Sequence, residues 1–159
     1  MHEIKSILTP IDFSENAPKI ARAAIYVAGK FGAQLYFVFV VQVFEDYSGF
    51  MAPPVNMLNL KEEIFQSAQE QMNLFLEKNK QDFMNAGLTN VQGEVLTGDI
   101  AEEIMNYGNS SNCDLIVMGT HGYKGFERII FGSVADKVVK NACCPVMTIN
   151  PYQDICEEK

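Results

Sequence analysis

The chain has no cysteine framework. Its four cysteines, Cys113, Cys143, Cys144 and Cys156, include no C-x-x-C pair and no metal-ligand spacing with either histidine, His2 or His121. They therefore read as reduced thiols rather than a disulfide scaffold or a zinc site. Cys113 and Cys143 or Cys144 border predicted strands, where a free cysteine usually acts as a small hydrophobe. Long apolar runs are missing too: the longest, Leu35 to Val41, is far short of the ~20 residues that span a bilayer. The polar start MHEIKS lacks a signal-peptide apolar region, so a cytoplasmic location is expected by default. Positive charge is scarce, with 12 Lys and Arg against 20 Asp and Glu and a net charge of −8. Such a surface repels nucleic acid and anionic lipid, so neither nucleic acid nor membrane is expected as a partner.

Two nucleotide motifs are absent as well. There is no G-x-x-x-x-G-K-[ST], which excludes a P-loop enzyme, and no G-x-G-x-x-G after the first predicted strand, which disfavours a dinucleotide fold of that kind. No internal repeat or low-complexity linker divides the chain. With 48% hydrophobic and 20% charged residues among 159, the composition is that of an ordinary globular protein. One domain over residues 1–159 is the expectation, burying roughly 68–70% of the surface its unfolded chain exposes.

What is present centres on Asp114 to Ala142, DLIVMGTHGYKGFERIIFGSVADKVVKNA. Asp114 to Met118 reads as a buried strand, because four apolar residues follow one acid and Gly119 ends the run. Gly119, Gly122, Gly125 and Gly132 punctuate the loop that follows, and glycines permit positive φ and close approach of a ligand to the backbone. Gly132-Ser133 opens a helix on which Val134, Val138 and Ala142 recur every four residues. Ser133 is a suitable N-cap and a donor to phosphate. The free N–H groups and positive dipole end of such a helix favour an anion, by roughly 0.3–1 kcal/mol for an exposed charge. The loop also carries His121, Lys124 and Arg128 with only Glu127 opposing, a local reversal of the acidic background that suits a polyphosphate. Charge alone would equally describe a few solvated side chains, and the glycine framework tips the balance.

Along the chain, Ile4, Ile7, Leu8 and Ile11 mark a first strand ending at Thr9-Pro10, since proline cannot donate within a sheet. Asp12-Phe13-Ser14 forms a turn in which Ser14 can cap a helix, with Pro18 in its tolerant first turn. Ile20, Ala24, Val27 and Phe31 make that helix's apolar face and Gly32 closes it. Leu35 to Val41 is a central strand covered on both faces. Phe44 to Met57 reads as a loop, either a lid or an incidental insertion, the two standing level. Leu60, Ile64, Ala68, Met72, Leu76 and Phe83, widened by Phe65 and Phe75, predict one long helix stopping at Asn85-Ala86-Gly87. Val91 to Thr97 is a third strand. Gly98 then turns into a helix whose Asp99 and Glu102 have capping-box spacing, with Ile100 and Ile104 facing inward. Val146 to Ile149, between Pro145 and Pro151, is the last strand. Five strands alternating with four helices predict an α/β fold, a five-stranded parallel sheet with helices on both faces and right-handed crossovers.

At Gly119, Gly122, Gly132 and Ser133 the chain resembles the universal stress protein family. The family's nucleotide-binding branch has Gly, two residues, Gly, nine residues, Gly, then Ser or Thr. ILTPIDFSENA (Ile7–Ala17) looks like the family's opening strand and turn, and CCPVMTI (Cys143–Ile149) like its closing strand. The resemblance implies a Rossmann-like sheet of order 3-2-1-4-5, of the adenine nucleotide alpha hydrolase-like kind. In such a sheet ligands bind beyond the strand ends where the order reverses, here between the first and fourth strands. It further implies ATP, with Pro10, Asp12 and Val40 at the base and ribose end. Gly119, Gly122, Gly132, Ser133 and Val134 would take ribose and phosphates, Met118 and Gly98 would line the cleft, and His121 would touch the phosphate side. Mg²⁺ would be held mainly through phosphate oxygens. Without the resemblance Asp12 reads as a turn residue leading into the helix. Two positions depart from the family pattern: Phe39 stands where His is common, and Gln42 where an acid is frequent. The resemblance also implies a homodimer, and Val146, Met147 and Ile149 form an apolar edge strand suited to one. Three functions compete: an ATP-binding sensor or regulator in stress response with slow or no hydrolysis, a slow ATPase or phosphotransfer enzyme, and a dimeric interaction module without nucleotide. The intact glycine spacing counts against the third.

Overall fold

The computed structural model describes residues 3–42, 55–120 and 132–152, the side chains of 55–58 excepted. Its elements run β1 (Ser6–Pro10), α1 (Ala17–Phe31), β2 (Gln34–Val41), α2 (Val55–Asn85), β3 (Val91–Thr97), α3 (Ile100–Ser110), β4 (Leu115–Gly119), α4 (Ser133–Asn141) and β5 (Val146–Ile149). The strands form one parallel sheet in the order β3-β2-β1-β4-β5, as expected. Alternation along each strand sorts side chains between two helical layers. Ile7, Ile11, Leu35, Phe37, Leu115 and Val117 pack with α1 and α2. Leu8, Val38, Val40, Ile116 and Met118 pack with α3 and α4. Both sets are apolar because neither face meets water.

In α1 the buried stripe is Ala17, Ile20, Ala21, Ala24, Ile25 and Ala28, and the four alanines bring the helix close to the sheet. Gly32 closes it at φ 63°, its N–H donating to Ala28 O. Two expectations need correction here. The N-cap residue is Asn16 rather than Ser14 and makes no side-chain cap bond; Ser14 sits two residues earlier, its Oγ accepting from Asn16 N at 3.3 Å. Phe31 is 53% exposed, because it ends the helix beyond the alanines that meet the sheet.

The long helix begins at Val55, so Val55 to Met57 belong to it and not to a loop; residues 43–54 lie outside the described residues. Its apolar stripe meets the core only from Ala68 onward, through Ala68, Met72 and Phe83 with Phe75 and Leu76 beside them. Leu60 and Ile64, expected in the same stripe, are 52% and 45% exposed. The reason is length: 31 residues at about 1.5 Å each make ~46 Å, against ~26 Å for the eight residues of β2. The first turns of α2 therefore overhang the C-terminal ends of the strands. Gly87, at φ 74°, stops the helix as expected.

Asp99 caps α3, its Oδ1 accepting from Glu102 N at 3.1 Å, which is the first half of the expected capping box, and Ile104 is fully buried. Asp114 lies just before β4 rather than in it, and its Oδ2 accepts from the amides of Lys5 and Ser6 at 2.9 and 3.0 Å. It thereby ties the start of β4 to that of β1.

Gly93 in β3 is what lets α2 lie against the sheet. A Cβ there would stand 2.6 Å from Met72 Sδ and 2.9 Å from Leu76 Cδ1, and the fully buried Met72 has no solvent side to swing into. Gly93→Ala should therefore cost ~1–3 kcal/mol and lower Tm by about 2–10 °C. Circular dichroism melting checks this, and an unchanged Tm would contradict the packing described.

Candidate functional site

The crevice starts from a difference in pairing. β1 and β2 stay in register to Pro10–Val38, whereas β1 and β4 pair at Ile7–Leu115 and Leu8–Ile116 only. Beyond Pro10 the chain stays with β2, Ile11 N donating to Val38 O at 2.9 Å. The seam between β1 and β4 is thus left open at its C-terminal end, where the strand order reverses. Pro10 and the half-buried Asp12 stand on one side of it, Met118 and Gly119 on the other. Asp12 Oδ1 accepts from Ser14 N at 3.0 Å, which orients the carboxylate within the turn. Val40, 6% exposed, lies on the α3/α4 face and is level with Leu96 of β3. Phe39 turns to the other face, its ring 4.7 Å from that of Phe13.

Gly98 ends β3 with φ 145°, its N–H donating to Val41 O at 3.1 Å. A Cβ there would be 2.9 Å from Cγ of the Glu103 side chain, which can swing aside, so it is the conformation that requires glycine here. Among the described glycines predicted for the site, it is the only one with positive φ. Gly132 has φ −68° and ψ 156°, so what its missing side chain supplies is close approach rather than conformational freedom.

The start of α4 is fixed beside the end of β4 by two bonds. Thr120 N donates to Ile149 O and Gly132 N to Thr120 O, both at 2.8 Å. Gly132, not Ser133, is the N-cap; it has no side chain to cap with, and Ser133 is the exposed first helical residue. Asp136 N makes the first helical bond, to Gly132 O at 3.0 Å, so the amides of Ser133, Val134 and Ala135 have no acceptor within the helix. The acids nearby are paired: Asp136 with Lys140 at 2.9 Å, and Asp99 with Lys137 at 3.8 Å. The first turn of α4 thus offers three amides without an intrahelical acceptor and a positive dipole end, with the helix's own carboxylate engaged by Lys140, which is chemistry suited to an anion.

Pro10, Asp12, Val40, Gly98, Met118, Gly119, Gly132, Ser133 and Val134 thus come to the same C-terminal edge of the sheet. His121 and Gly122 lie outside the described residues, as do Lys124, Gly125, Glu127 and Arg128. Thr120 escapes a sequence reading, because its carbonyl acts through a bond to Gly132, a partner distant in sequence that no local pattern encodes.

A family model described as the universal stress protein family matches residues 3–150 of the chain. The chain belongs to that family. This universal stress protein is 37% identical over 145 residues to one from Methanocaldococcus jannaschii, covering 91% of this chain and 81% of the relative. The solved structure of the universal stress protein UspA from Lactobacillus plantarum superposes with a TM-score of 0.79 at 24% identity, covering 94% of this chain and all of the other. A universal stress protein from Archaeoglobus fulgidus, solved in complex with dAMP, gives 0.62 at 21% identity over 94% of this chain and all of that one. Another, solved in complex with cAMP, gives 0.68 at 14% over 94% and 99%. At these identities the structural likenesses establish the fold alone.

Cys113, Cys143 and Cys144 of this universal stress protein stand away from the crevice, at the N-terminal ends of β4 and β5, and Cys156 lies outside the described residues. Cys113 is buried, its Sγ donating to Leu115 O at 3.0 Å, and burial pushes its pKa up to about 12. Cys144 is half-buried and its pKa is raised by the same cause. Cys143 is exposed, so only the other two act as the small hydrophobes expected. Among the described residues no group of His, Cys, Asp or Glu could hold a metal ion. Since the thiolate is the nucleophile, iodoacetamide at pH 8 should label Cys143 promptly and Cys113 only on unfolding, as peptide mass spectrometry would read. The pH dependence has a definite sign. The raised pKa of Cys113 contributes stability fully below the unfolded thiol value of 9.0 and loses it as pH rises toward 12. Prompt labelling of Cys113 in the native protein would overturn this.

Proposed function

We propose that this protein is an adenine-nucleotide-binding universal stress protein, a regulator whose nucleotide, ATP in the first instance, acts as a signal. The observation that carries the reading is the N-terminus of α4, held by the Thr120–Gly132 bond at the C-terminal edge of the sheet, with a first turn that has no side-chain cap. The two relatives solved with dAMP and cAMP support an adenine nucleotide in the seam. The base and ribose belong at Pro10, Asp12 and the main chain beside Val40, where the carboxylate can accept from an amino or hydroxyl group. Ribose and phosphates belong at Gly119, Gly122, Gly132, Ser133 and Val134, with Met118 and Gly98 lining the cleft and His121 as a phosphate-side contact. Mg²⁺ would be bound mainly through phosphate oxygens, since the described residues offer no carboxylate cage.

Fast phosphoryl transfer needs a positioned nucleophile and a base. Asp12 belongs to the adenine end, and His121 has glycines close by in sequence, so hydrolysis is expected to be slow or absent. Calorimetry should give micromolar or tighter ATP binding, abolished in Gly122→Val/Gly132→Val, where bulk displaces the phosphates. Unchanged affinity in that double mutant would remove the site assignment. Turnover at the typical enzymatic ~10 s⁻¹, lost in His121→Ala, would replace the regulator with an enzyme.

A homodimer through β5 belongs to the same reading. Among the described residues this strand pairs only with β4, its outer edge is unoccupied, and Met147 is 39% exposed. Unpaired N–H and C=O groups on such an edge invite a second strand. Sedimentation at micromolar concentration, with and without ATP, should show a dimer, and a monomer in both conditions would refute it.

A further inference from the structure

The turn from β1 into α1 contains a conformation that its residue type resists. Phe13 has φ 55°, and a bulky aromatic at positive φ is a true outlier. The other such residue outside glycine among those described is Asn112, at φ 50°, a type that tolerates the left-handed region. A side chain of this size remains there only where its surroundings over-determine it.

Those surroundings are in place. Before the turn, Ile11 N is bonded to Val38 O, and after it Ala17 N donates to Ser14 O at 3.0 Å. The Phe13 ring lies 4.7 Å from that of Phe39 in β2 and 6.1 Å, edge-on, from that of Phe75 in α2. Phe75 in turn packs at 5.0 Å on the fully buried Phe37. The ring is thus an anchor that reaches through two layers, and its hold opposes relaxation of residue 13 to negative φ.

The consequence falls on Asp12. Its Oδ1 accepts from Ser14 N, the amide immediately after Phe13. Rotation about Phe13 would carry that amide away and release the carboxylate. We propose that Phe13 is a positioning residue for the nucleotide crevice, its ring, packed on Phe39 and Phe75, holding the turn that aims the Asp12 carboxylate, with Oδ2 left to the ligand. This rests on the nucleotide reading above. Glycine would adopt the same φ freely but would hold nothing; the aromatic ring makes the aim of the carboxylate a property of the folded core.

The test is a mutant cycle on the full chain, with ATP affinity read by calorimetry and Tm by melting. Phe13→Ala and Asp12→Ala should each weaken ATP binding by about tenfold. The double mutant should bind no more weakly than Asp12→Ala alone, because Phe13 acts only through that carboxylate. The double mutant should nevertheless melt below Asp12→Ala, since the ring's packing is removed in either background. A merely structural Phe13 would not produce this split. Wild-type affinity in Phe13→Ala, or losses that multiply in the double mutant, would overturn the positioning role while leaving the nucleotide site standing. Failure of the wild-type protein to bind any adenine nucleotide would remove both. Should Phe13→Ala not fold, Phe75→Leu keeps the apolar character of α2 while withdrawing the edge-on ring. It should weaken ATP binding about threefold in the wild-type background and not at all with Asp12→Ala, and losses that multiply would again overturn the proposal.

Discussion

Right-handed crossover is the constraint on which the rest of the molecule depends. A strand with right-handed twist, followed by a helix and a parallel strand, closes in one hand only. Winding from β1 to β2 to β3 proceeds outward in one direction, so α1 and α2 must share a face. The chain then returns past β1 to add β4 and β5 on the other side, and the same handedness puts α3 and α4 on the opposite face. Helices leave β1 and β4 toward opposite layers, and the space between their ends is filled by neither. The seam where pairing stops after Leu8–Ile116 follows from topology, before any particular side chain is placed in it.

The ends of the elements then decide what the seam can hold. Because the sheet is parallel, every strand delivers its C-terminal residue to the same edge, and every following helix offers its N-terminal amides there. Gly98, Asp12 and Gly132 all occupy such positions, after β3, β1 and β4 respectively. They differ in how the amides are used. Asp99 caps α3 with its own carboxylate, and its pairing with Lys137 ties α3 to α4. Gly132 leaves the first turn of α4 uncapped. An anion therefore finds partners at α4 and not at α3, and the contrast lies in a single cap residue.

The acidic balance of the chain does not work against this. At −8 overall the protein disfavours polyanions at long range, but that field is screened within about 10 Å at ordinary ionic strength. Close to the seam, Asp136 of α4 and Asp99 at the cap of α3 are engaged by lysines one turn or one helix away. Those exposed pairs add little stability, of the order of 0–1 kcal/mol each. Their effect is local, lowering the repulsion an incoming phosphate would meet.

Much of this was legible in residue order alone, because the signals are local. The unbroken apolar run of Leu35–Val41 reports a strand covered on both faces, and the helical spacing of Ile20 and Ala24 reports which side of α1 is buried. Gly32 and Gly87 report where helices end, and Asp99 with Glu102 reports where one begins. Strand order needed the resemblance carried by Gly119, Gly122, Gly132 and Ser133, since no local pattern says which strands are neighbours. Other features depend on atoms distant in sequence and had no local signature. Leu60 and Ile64 carry the same spacing as Met72 yet are exposed, because the sheet beneath α2 is shorter than the helix. Gly93 looks like one position in an alternating strand until Met72 fills the space where its Cβ would be. Phe13 reads as an ordinary turn residue, and its positive φ emerges only from rings supplied by β2 and α2. Periodicity follows from the geometry of a single element, whereas clearance, overhang and an enforced backbone angle follow from how two elements meet.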